Sequence, residues 1–292
     1  CAEPETRGTV AAATADAEGF RAAALQLLAR VERDASVLIE RLQRIARDAH
    51  ALFVGMDFRF LYDPARKLFS IGYQVDHARL DPSYYDLLAS EARLASFIAI
   101  AKHDVPPEHW FRLGRTLISV HGRTVLVSWS GSMFEYLMPA LLMDTPYGSL
   151  LDHTCHMVVE RQIAYARRRG VPWGISESAF HERDVHLTFQ YSTFGVPGLG
   201  LKRGLGEDLV IAPYATGLAA MYAPRAAAAN FARIESLGGR GRSGFYEALD
   251  FTRLRVPETG PVALVRAYMA HHQGMTLVAL ANVLLDAALR RR

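Results

Sequence analysis

Cysteine is scarce in this 292-residue sequence, which contains only Cys1 and Cys155. Two cysteines cannot form a disulfide framework, and the sequence has no cysteine and histidine spacing typical of a zinc site. It also lacks an apolar run of the roughly 18 residues that a membrane-spanning helix requires. The fold must therefore be stabilised by a hydrophobic core, which a chain with 50% hydrophobic residues can form.

An excess of charge of one sign is equally absent. The 33 Lys and Arg residues and the 30 Asp and Glu residues leave a net charge of +3. Two short basic runs, 167–169 and 290–292, are interpreted as solvated surface rather than as a nucleic-acid interface. We therefore expect no nucleic-acid partner.

The N-terminal part differs in composition from the rest. Residues 1–16 lack periodic apolar positions, which predicts a loose lead-in, whereas residues 18–52 repeat apolar residues at helical spacing. We expect a lead-in and helical arm over residues 1–52, packed against or joined to a second domain over residues 53–292. Because the chain begins with Cys1 rather than Met and has no secretory signal, we also expect a segment of a longer protein.

The second domain is predicted to be mainly helical. Two β-hairpins are expected near residues 58–73 and 115–129. Helices are predicted over residues 81–102, 132–143, 147–169, 210–221, 224–237 and 262–289, with glycines as stop signals. Adjacent helices joined by long irregular loops favour a toroid of helical hairpins over an alternating sheet.

Four segments combine glycine, aromatic and ionisable residues: 129–136, 171–180, 244–251 and 266–275. Sugar rings stack on aromatic faces, and a fixed carboxylate can act at the anomeric carbon. In the second segment Glu177 lies between Ser176 and Ser178, in a turn where a carboxylate has few structural uses. We expect the four segments to share one carbohydrate-binding cleft.

An ordered set of motifs resembles the central, glucoamylase-like domain of cyclic β-1,2-glucan synthases. The set comprises MDFRFLYD, SYYDLLASEARLAS, WSGSMFEYLMP, PWGISES, VPGLGLKRG, APYATGLA, GFYEALDFT and RAYMAHHQGM. The resemblance extends from about residue 35 to the C-terminus. It implies an all-α fold, an (α/α)6 toroid that is complete or lacks terminal helices, with a few short β-hairpins. That fold is related to the endo-β-1,2-glucanases.

The same resemblance implies a function and partners. In this family the domain closes linear β-1,2-glucan into a ring by anomer-retaining transglycosylation, without a cofactor or a metal. The parent enzyme adds a membrane-embedded glycosyltransferase part and a C-terminal phosphorylase-like part. It implies a parent in the bacterial inner membrane, with this domain on the cytoplasmic side. Two alternatives remain open: an endo-β-1,2-glucanase-type hydrolase and a non-catalytic glucan-binding domain.

The resemblance also assigns two catalytic carboxylates. Glu177 in PWGISES corresponds to the nucleophile and Glu91 in LLASEARLAS to the acid/base. From spacing alone, Glu91 is also interpreted as a surface acid on a helix close to Arg93, and Glu177 as a helix cap. Glu135, which lies among apolar and aromatic residues, is the reserve candidate for either catalytic role.

A larger set of residues is expected to bind the sugar. Glu247 and Asp250 are equally consistent with loop capping, and the neighbouring His271 and His272 point to different sides of a helix, which argues against a shared metal. The substrate-binding candidates are Trp129, Phe134, Tyr136, Trp173, Phe180, Lys202, Arg203, Tyr246, Glu247, Asp250, Tyr268, His271, His272 and Gln273.

Overall fold

The computed structural model describes the backbone of residues 5–258 and 260–291 and side chains from residue 19 onward within those ranges. Contacts divide the chain into two compact units, Cys1–Asp57 and Phe58–Arg292. The division between an arm and a glucoamylase-like domain at residue 52 stays a prediction, as does the packing of the arm.

The first unit contains one helix, α1, over Glu5–Gly55. The predicted amphipathic segment is therefore one continuous helix of 51 residues. The prediction of a loose lead-in is wrong from residue 5 onward, because its many alanines favour the helix. The first four residues of that lead-in lie outside the described part of the chain. Among the described residues, no helix has both the length and the apolarity needed to cross a membrane.

The helices of the second unit are short except for one. Single 3-10 turns cover Arg59–Leu61, Val75–His77 and Met138–Leu141. The α-helices are α2 (Arg93–Ala101), α3 (Glu108–Arg112), α4 (Met133–Leu137), α5 (Leu150–Arg169), α6 (Pro213–Ala219), α7 (Pro224–Ser236) and α8 (Ala270–Leu284). Ser149 caps the start of α5, and Gly170, at a φ of 72°, ends it as predicted.

Strands in this unit are two to six residues long, and every ladder between them is antiparallel. They form the sheets β1-β2-β5 and β10-β13-β14 and four two-stranded pairs, β3-β4, β6-β7, β8-β9 and β11-β12. The strands are β1 (Tyr62–Asp63), β2 (Leu68–Ser70), β3 (Tyr73–Gln74), β4 (Arg79–Leu80), β5 (Tyr84–Tyr85), β6 (Leu117–Val120), β7 (Arg123–Leu126), β8 (Ser178–Arg183), β9 (Phe189–Ser192), β10 (Val210–Ile211), β11 (Arg240–Gly241), β12 (Gly244–Phe245), β13 (Ala248–Asp250) and β14 (Ala263–Val265).

Both predicted hairpins are confirmed, as β1-β2 and β6-β7. The strands from β8 onward were not expected, so an all-α description is too narrow: the unit is helix-rich with short antiparallel strands. Segments of two to six residues give too little alternation to reveal a strand. The closed (α/α)6 ring stays a prediction.

The helix predicted over residues 81–102 is wrong in its first half. The Asp81 side chain accepts the amide of Ser83 at 2.8 Å, which makes a turn, and β5 then pairs with β2. Leu88 donates its amide to Gly114 at 3.0 Å, so this backbone is occupied outside a helix. Glu91 consequently lies in a turn before α2. The helix predicted from residue 262 also begins later, at Ala270, because β14 pairs with β13.

The hydrophobic core surrounds α5 and α6. Every residue of α6 is buried, and this helix packs against α4, α7 and α8, while α5 packs against α4 and β7. The loops that carry most of the motifs extend from these helices. The core therefore fixes the positions from which the candidate site is built.

Two glycine-containing loops pack backbone against backbone beside the site. Val196 donates its amide to Gly131 at 3.2 Å, and Lys202 donates to the carbonyl of Trp129 at 2.8 Å. A Cβ atom at Gly195 would overlap the carbonyl oxygen of Ser130. Because main-chain atoms cannot rotate away, only glycine permits this approach.

We expect Gly195→Ala to lower the free energy of unfolding by about 3 kcal/mol, because the new methyl group meets a backbone oxygen. Gly206→Ala is the matched control, since its Cβ would lie an ordinary 3.6 Å from Pro197. Urea denaturation of both variants measures the difference. Equal stabilities would show that the two loops can separate at little cost.

Candidate active site

A cleft of about 550 Å³ opens on the second unit. Its wall includes two of the three predicted carboxylates and the aromatic ring of Trp129, which is 60% exposed. Such an accessible ring beside acids is typical of carbohydrate sites. The lining residues are Ile71, Ser83, Tyr84, Tyr85, Asp86, Leu87, Ser90, Glu91, Trp129 and Glu135.

Glu91 is held in the cleft wall by its neighbours in the turn before α2. The hydroxyl of Ser90 donates to its carboxylate at 3.2 Å. The buried Arg93 anchors the turn, since its guanidinium donates to the carbonyls of Ser90 and Glu135 at 3.0 Å and of Tyr136 at 2.6 Å. Glu91 is therefore not a surface acid on a helix, and Arg93 is not its ion-pair partner.

The surroundings of Glu91 favour a protonated carboxyl. Burial raises its pKa, and the negative charges of Glu135 and Glu177 raise it further. A general acid needs this property, because it must hold a proton when the substrate binds. The environment suits the acid/base role.

Glu177 lies in the loop immediately before β8 and is half-buried. The hydroxyl of Tyr191, on β9, donates to its carboxylate at 2.9 Å. Tyr214, on α6, donates to its main-chain carbonyl at 2.9 Å and lies 2.8 Å from the hydroxyl of Ser176. Both the backbone and the carboxylate of Glu177 are thus held by tyrosines.

Opposing influences act on the Glu177 carboxyl. Burial raises its pKa, whereas the hydrogen bond from Tyr191 and the nearby His272 act to lower it. Burial, followed by the charges of Glu91 and Glu177, raises the pKa of Tyr85 in the cleft. The charges of both carboxylates thus act on the hydroxyl of Tyr85, which lines the cleft together with Glu91, whereas Glu177 is not among the lining residues.

Glu135 has a different environment. Its carboxylate accepts the hydroxyl of Ser128 at 2.7 Å and the amides of Ser130 at 2.9 Å and Ser132 at 3.3 Å. Together with the hydroxyl of Ser132, it forms the capping box of α4. This carboxylate fastens the loop that carries Trp129, which favours a structural role over the reserve catalytic one.

We expect Glu135→Gln to lower the free energy of unfolding by about 1–3 kcal/mol, because its amide group faces donors that then lose an acceptor. The exposed Glu160 on α5 provides the control, and Glu160→Gln is expected to change stability by less than about 0.5 kcal/mol. Thermal and urea unfolding report both values. A Glu135→Gln variant that is fully stable but inactive would restore the catalytic role.

Several predicted sugar-binding aromatics belong to the core instead. Tyr136 is 1% exposed and its hydroxyl bonds to main-chain groups, and Trp173 is 6% exposed. Phe134 and Phe180 are half-buried against the core, where Phe180 packs edge-on against Phe194. Tyr136 and Trp173 are therefore covered by the core, whereas sugar binding by the half-buried Phe134 and Phe180 stays a prediction.

The predicted polar sugar-binding residues also differ in their surroundings. Asp250 is fully buried and pairs with Arg255 at 2.6 Å, and it caps the turn at Thr252, so its loop-capping alternative is favoured. Lys202 is half-buried and donates to the backbone and hydroxyl of Thr193 at 2.8 Å, which ties a loop. Arg203 is exposed.

The remaining candidates lie on and around α8. Glu247 is buried against the imidazole of His272, whereas His271 is exposed. The rings of Tyr246 and Tyr268 lie 5.5 Å apart. Gln273 donates its side-chain amide to the carbonyl of Phe245 at 3.1 Å. His271 is exposed and His272 is buried, but their ring centroids lie 4.0 Å apart, so the two side chains do not diverge as the sequence predicted.

Three tyrosines of the site were not among the predicted residues. Tyr85 and Tyr214 lie inside segments that carry the family resemblance, so a signal for them existed. Tyr191 had none, because only the pairing of β9 with β8 brings it beside Glu177.

Comparisons with known proteins show the family and the fold. The sequence model of the Glycoamylase family matches residues 83–291. Cyclic β-(1,2)-glucan synthase NdvB of Rhizobium meliloti (strain 1021) is 54% identical over 253 residues, which are 87% of this chain. The chain spans 9% of the length of that relative.

Two solved structures share the fold. The endo-β-1,2-glucanase from Chitinophaga pinensis, solved with sophorotriose and glucose, aligns over 82% of this chain and 59% of its own, with a TM-score of 0.59 and 16% identity. The endo-β-1,2-glucanase from Talaromyces funiculosus, solved with sophorose, aligns over 80% of this chain and 49% of its own, with a TM-score of 0.58 and 14% identity. At these identities the likeness concerns the fold alone.

Proposed function

Because the chain belongs to the Glycoamylase family, we propose that it processes β-1,2-glucan and closes the linear chain into a ring by anomer-retaining transglycosylation. The similarity to a cyclic β-1,2-glucan synthase supports the substrate and the outcome. That similarity also supports a place within a larger synthase, beside glycosyltransferase and phosphorylase-like parts. The same proposal includes a parent protein in the bacterial inner membrane.

The observation that carries the proposal is the pair Glu91 and Glu177. Both carboxyls are withdrawn from water, and the charge of Glu177 contributes to the raised pKa of Glu91. Each carboxylate accepts a hydroxyl, from Tyr191 at Glu177 and from Ser90 at Glu91. Glu177 additionally lies near His272, which lowers its pKa, whereas the charges of Glu135 and Glu177 raise the pKa of Glu91. Paired carboxyls with contrasting environments are the usual basis for separate nucleophile and acid roles.

The proposed reaction has two steps. A carboxylate oxygen of Glu177 attacks the anomeric carbon, the glycosidic C–O bond breaks, and Glu91 gives its proton to the departing sugar oxygen. Glu91 then takes a proton from a sugar hydroxyl, whose oxygen attacks the same carbon and releases Glu177. A ring results when that hydroxyl belongs to the far end of the same chain. Two inversions give net retention.

Hydrolysis is the second candidate, supported by the shared fold of the endo-β-1,2-glucanases. In that reaction water replaces the sugar hydroxyl, and an inverting enzyme places the carboxyls about 6.5–9.5 Å apart rather than about 5–5.5 Å. The third candidate, a glucan-binding domain without activity, gives no role to the two desolvated carboxyls. The two carboxyls therefore favour an enzyme over a binding domain, and the similarity to a cyclic β-1,2-glucan synthase favours transglycosylation over hydrolysis.

Azide rescue tests the two roles. We expect Glu91→Ala to lower kcat on β-1,2-glucan by about 10²–10⁴-fold. On a β-glucoside with a good aryl leaving group, which departs without a proton from Glu91, azide should restore turnover and yield a β-glycosyl azide, since azide needs no base. Glu177→Ala is expected to be at least as impaired and to yield an α-glycosyl azide. NMR of the isolated azides determines the anomer.

The outcome can also contradict the assignment. Near-normal activity of both variants, with an inactive Glu135→Gln of parental stability, would transfer the central role to Glu135. If the parent and all variants bind glucan but are equally inactive, the binding-domain alternative is correct.

The exposed ring of Trp129 provides a separate test of sugar binding. We expect Trp129→Ala to raise KM for β-1,2-glucan by about tenfold, because a stacking surface in the cleft is lost. Tyr147, which is 99% exposed and is not among the cleft-lining residues, is the control for loss of a surface aromatic. Initial-rate kinetics of both variants give the comparison. An unchanged KM for Trp129→Ala would place the sugar elsewhere.

A further inference from the structure

A chain of polar contacts leads from the buried interior to Glu177. Glu247 contacts Nδ1 of His272 at 2.8 Å and 3.0 Å with its two oxygens. On the other side of the ring, Nε2 of His272 lies 3.5 Å from the hydroxyl of Tyr191, which donates to Glu177 at 2.9 Å. Three separate segments, β13 with its preceding loop, α8 and β9, supply these groups.

The protons in this chain can be assigned from chemistry. An ionised Glu247 only accepts hydrogen bonds, so Nδ1 of His272 must carry a proton. The hydroxyl of Tyr191 has one proton and lies closer to Glu177 than to Nε2. If Nε2 is also protonated, its N–H faces the oxygen of Tyr191, and every donor then points toward Glu177. Such aligned hydrogen bonds reinforce one another in a dry interior.

The orientation of the imidazole is fixed from a third direction. The ring of Tyr214 stacks on His272 with centroids 3.7 Å apart and planes at 11°. His272 is 1% exposed, so its ring has little freedom to turn. Among the described contacts, Tyr191 is the residue whose hydroxyl lies near both Nε2 of His272 and the carboxylate of Glu177.

We propose that His272, held by Glu247, is a positioning residue that directs the hydroxyl of Tyr191 onto the Glu177 carboxylate. The proposal rests on the nucleophilic role of Glu177 given above and adds the device that orients this carboxylate. Tyr191 contacts the reacting group, while His272 and Glu247 act through it.

Several charged and titratable groups surround Glu177 and His272. Glu177 accepts hydrogen bonds from Tyr191 on β9 and Tyr214 on α6. The charges of His272 on α8 and Glu135 on α4 also act on its pKa. Its own charge acts in turn on Glu91 and Tyr85 in the cleft. His272 additionally faces Glu247 and its neighbour His271. Of these groups, Tyr191 is the one whose hydroxyl contacts the Glu177 carboxylate.

A measurement without substrate tests the contact. In the ¹⁵N-histidine-labelled chain, the His272 ring signals are identified by their loss in His272→Gln. We expect Tyr191→Phe to shift the Nε2 signal and to leave the Nδ1 signal, which reports on Glu247, nearly unchanged. Tyr214→Phe is the matched control, because it keeps the stacked ring and removes a hydroxyl bonded to Ser176 and Glu177 instead. An unshifted Nε2 signal in Tyr191→Phe overturns the proposal.

Kinetics test the consequence. We expect Tyr191→Phe to lower kcat about 10- to 100-fold with a smaller change in KM. The acidic limb of the kcat/KM profile should move to higher pH, because loss of a donor to the carboxylate raises the pKa of Glu177. His272→Gln should act in the same direction, and the double variant should lose less than the product of the two single effects, because part of the effect of His272 passes through Tyr191. An unmoved limb, or effects that multiply, overturns the proposal.

The two arms separate this inference from the proposed function. If the parent chain does not act on β-1,2-glucan, the proposed function fails, and the NMR arm still decides whether His272 is coupled to Tyr191. If the parent is active and Tyr191→Phe changes neither readout, the positioning role fails while the function stands.

Discussion

A buried carboxylate needs hydrogen-bond donors or a cation in place of water, and the carboxylates of the candidate site differ in how many such partners they have. Asp250 has an arginine partner, Glu135 has a hydroxyl and main-chain amides, and Glu247 has an imidazole. Glu177 and Glu91 each receive one side-chain hydroxyl among the described contacts, and burial raises the pKa of both. The least satisfied carboxyls are therefore the ones available for chemistry.

The fully matched acids support the reactive ones. Glu135 fastens the loop that presents Trp129, while Arg93 bonds to the backbone on both sides of the cleft turn. The close approach at Gly195 fixes the same loop from the other side. Glu247 acts on Glu177 only through His272 and Tyr191, so buried residues form part of the site. Rigid support of this kind is what a nucleophile and an acid need to keep their separation.

The sequence predicted some features reliably for identifiable physical reasons. A glycine at the end of a long periodic segment predicted the end of α5, and aromatic strands around Asp63 and Pro64 predicted the first hairpin. The segment from Pro82 to Glu91 was misassigned, because its backbone is used by pairing with residues distant in sequence. Local pattern carries no information about such a partner.

The candidate site shows the same division. Motif resemblance pointed to Glu177 and Glu91, whose catalytic roles stay a prediction, and the charge of Glu177 contributes to the raised pKa of Glu91. It did not distinguish an aromatic ring exposed in the cleft, such as Trp129, from one that fills the core, such as Trp173, because burial depends on the complete fold. Tyr191 was missed for the complementary reason, since a strand pairing supplies its contact with Glu177.

The most direct measurement of the account is product analysis after incubation of the chain with linear β-1,2-glucan. Transglycosylation within one chain predicts rings that are lighter by one water than linear chains of equal length, with all linkages in the β configuration, and a number of reducing ends that stays constant because the departing fragment keeps the original one. Mass spectrometry and anomeric NMR signals report all three properties. Products that gain one reducing end for every bond broken would show hydrolysis and contradict the ring-closing mechanism.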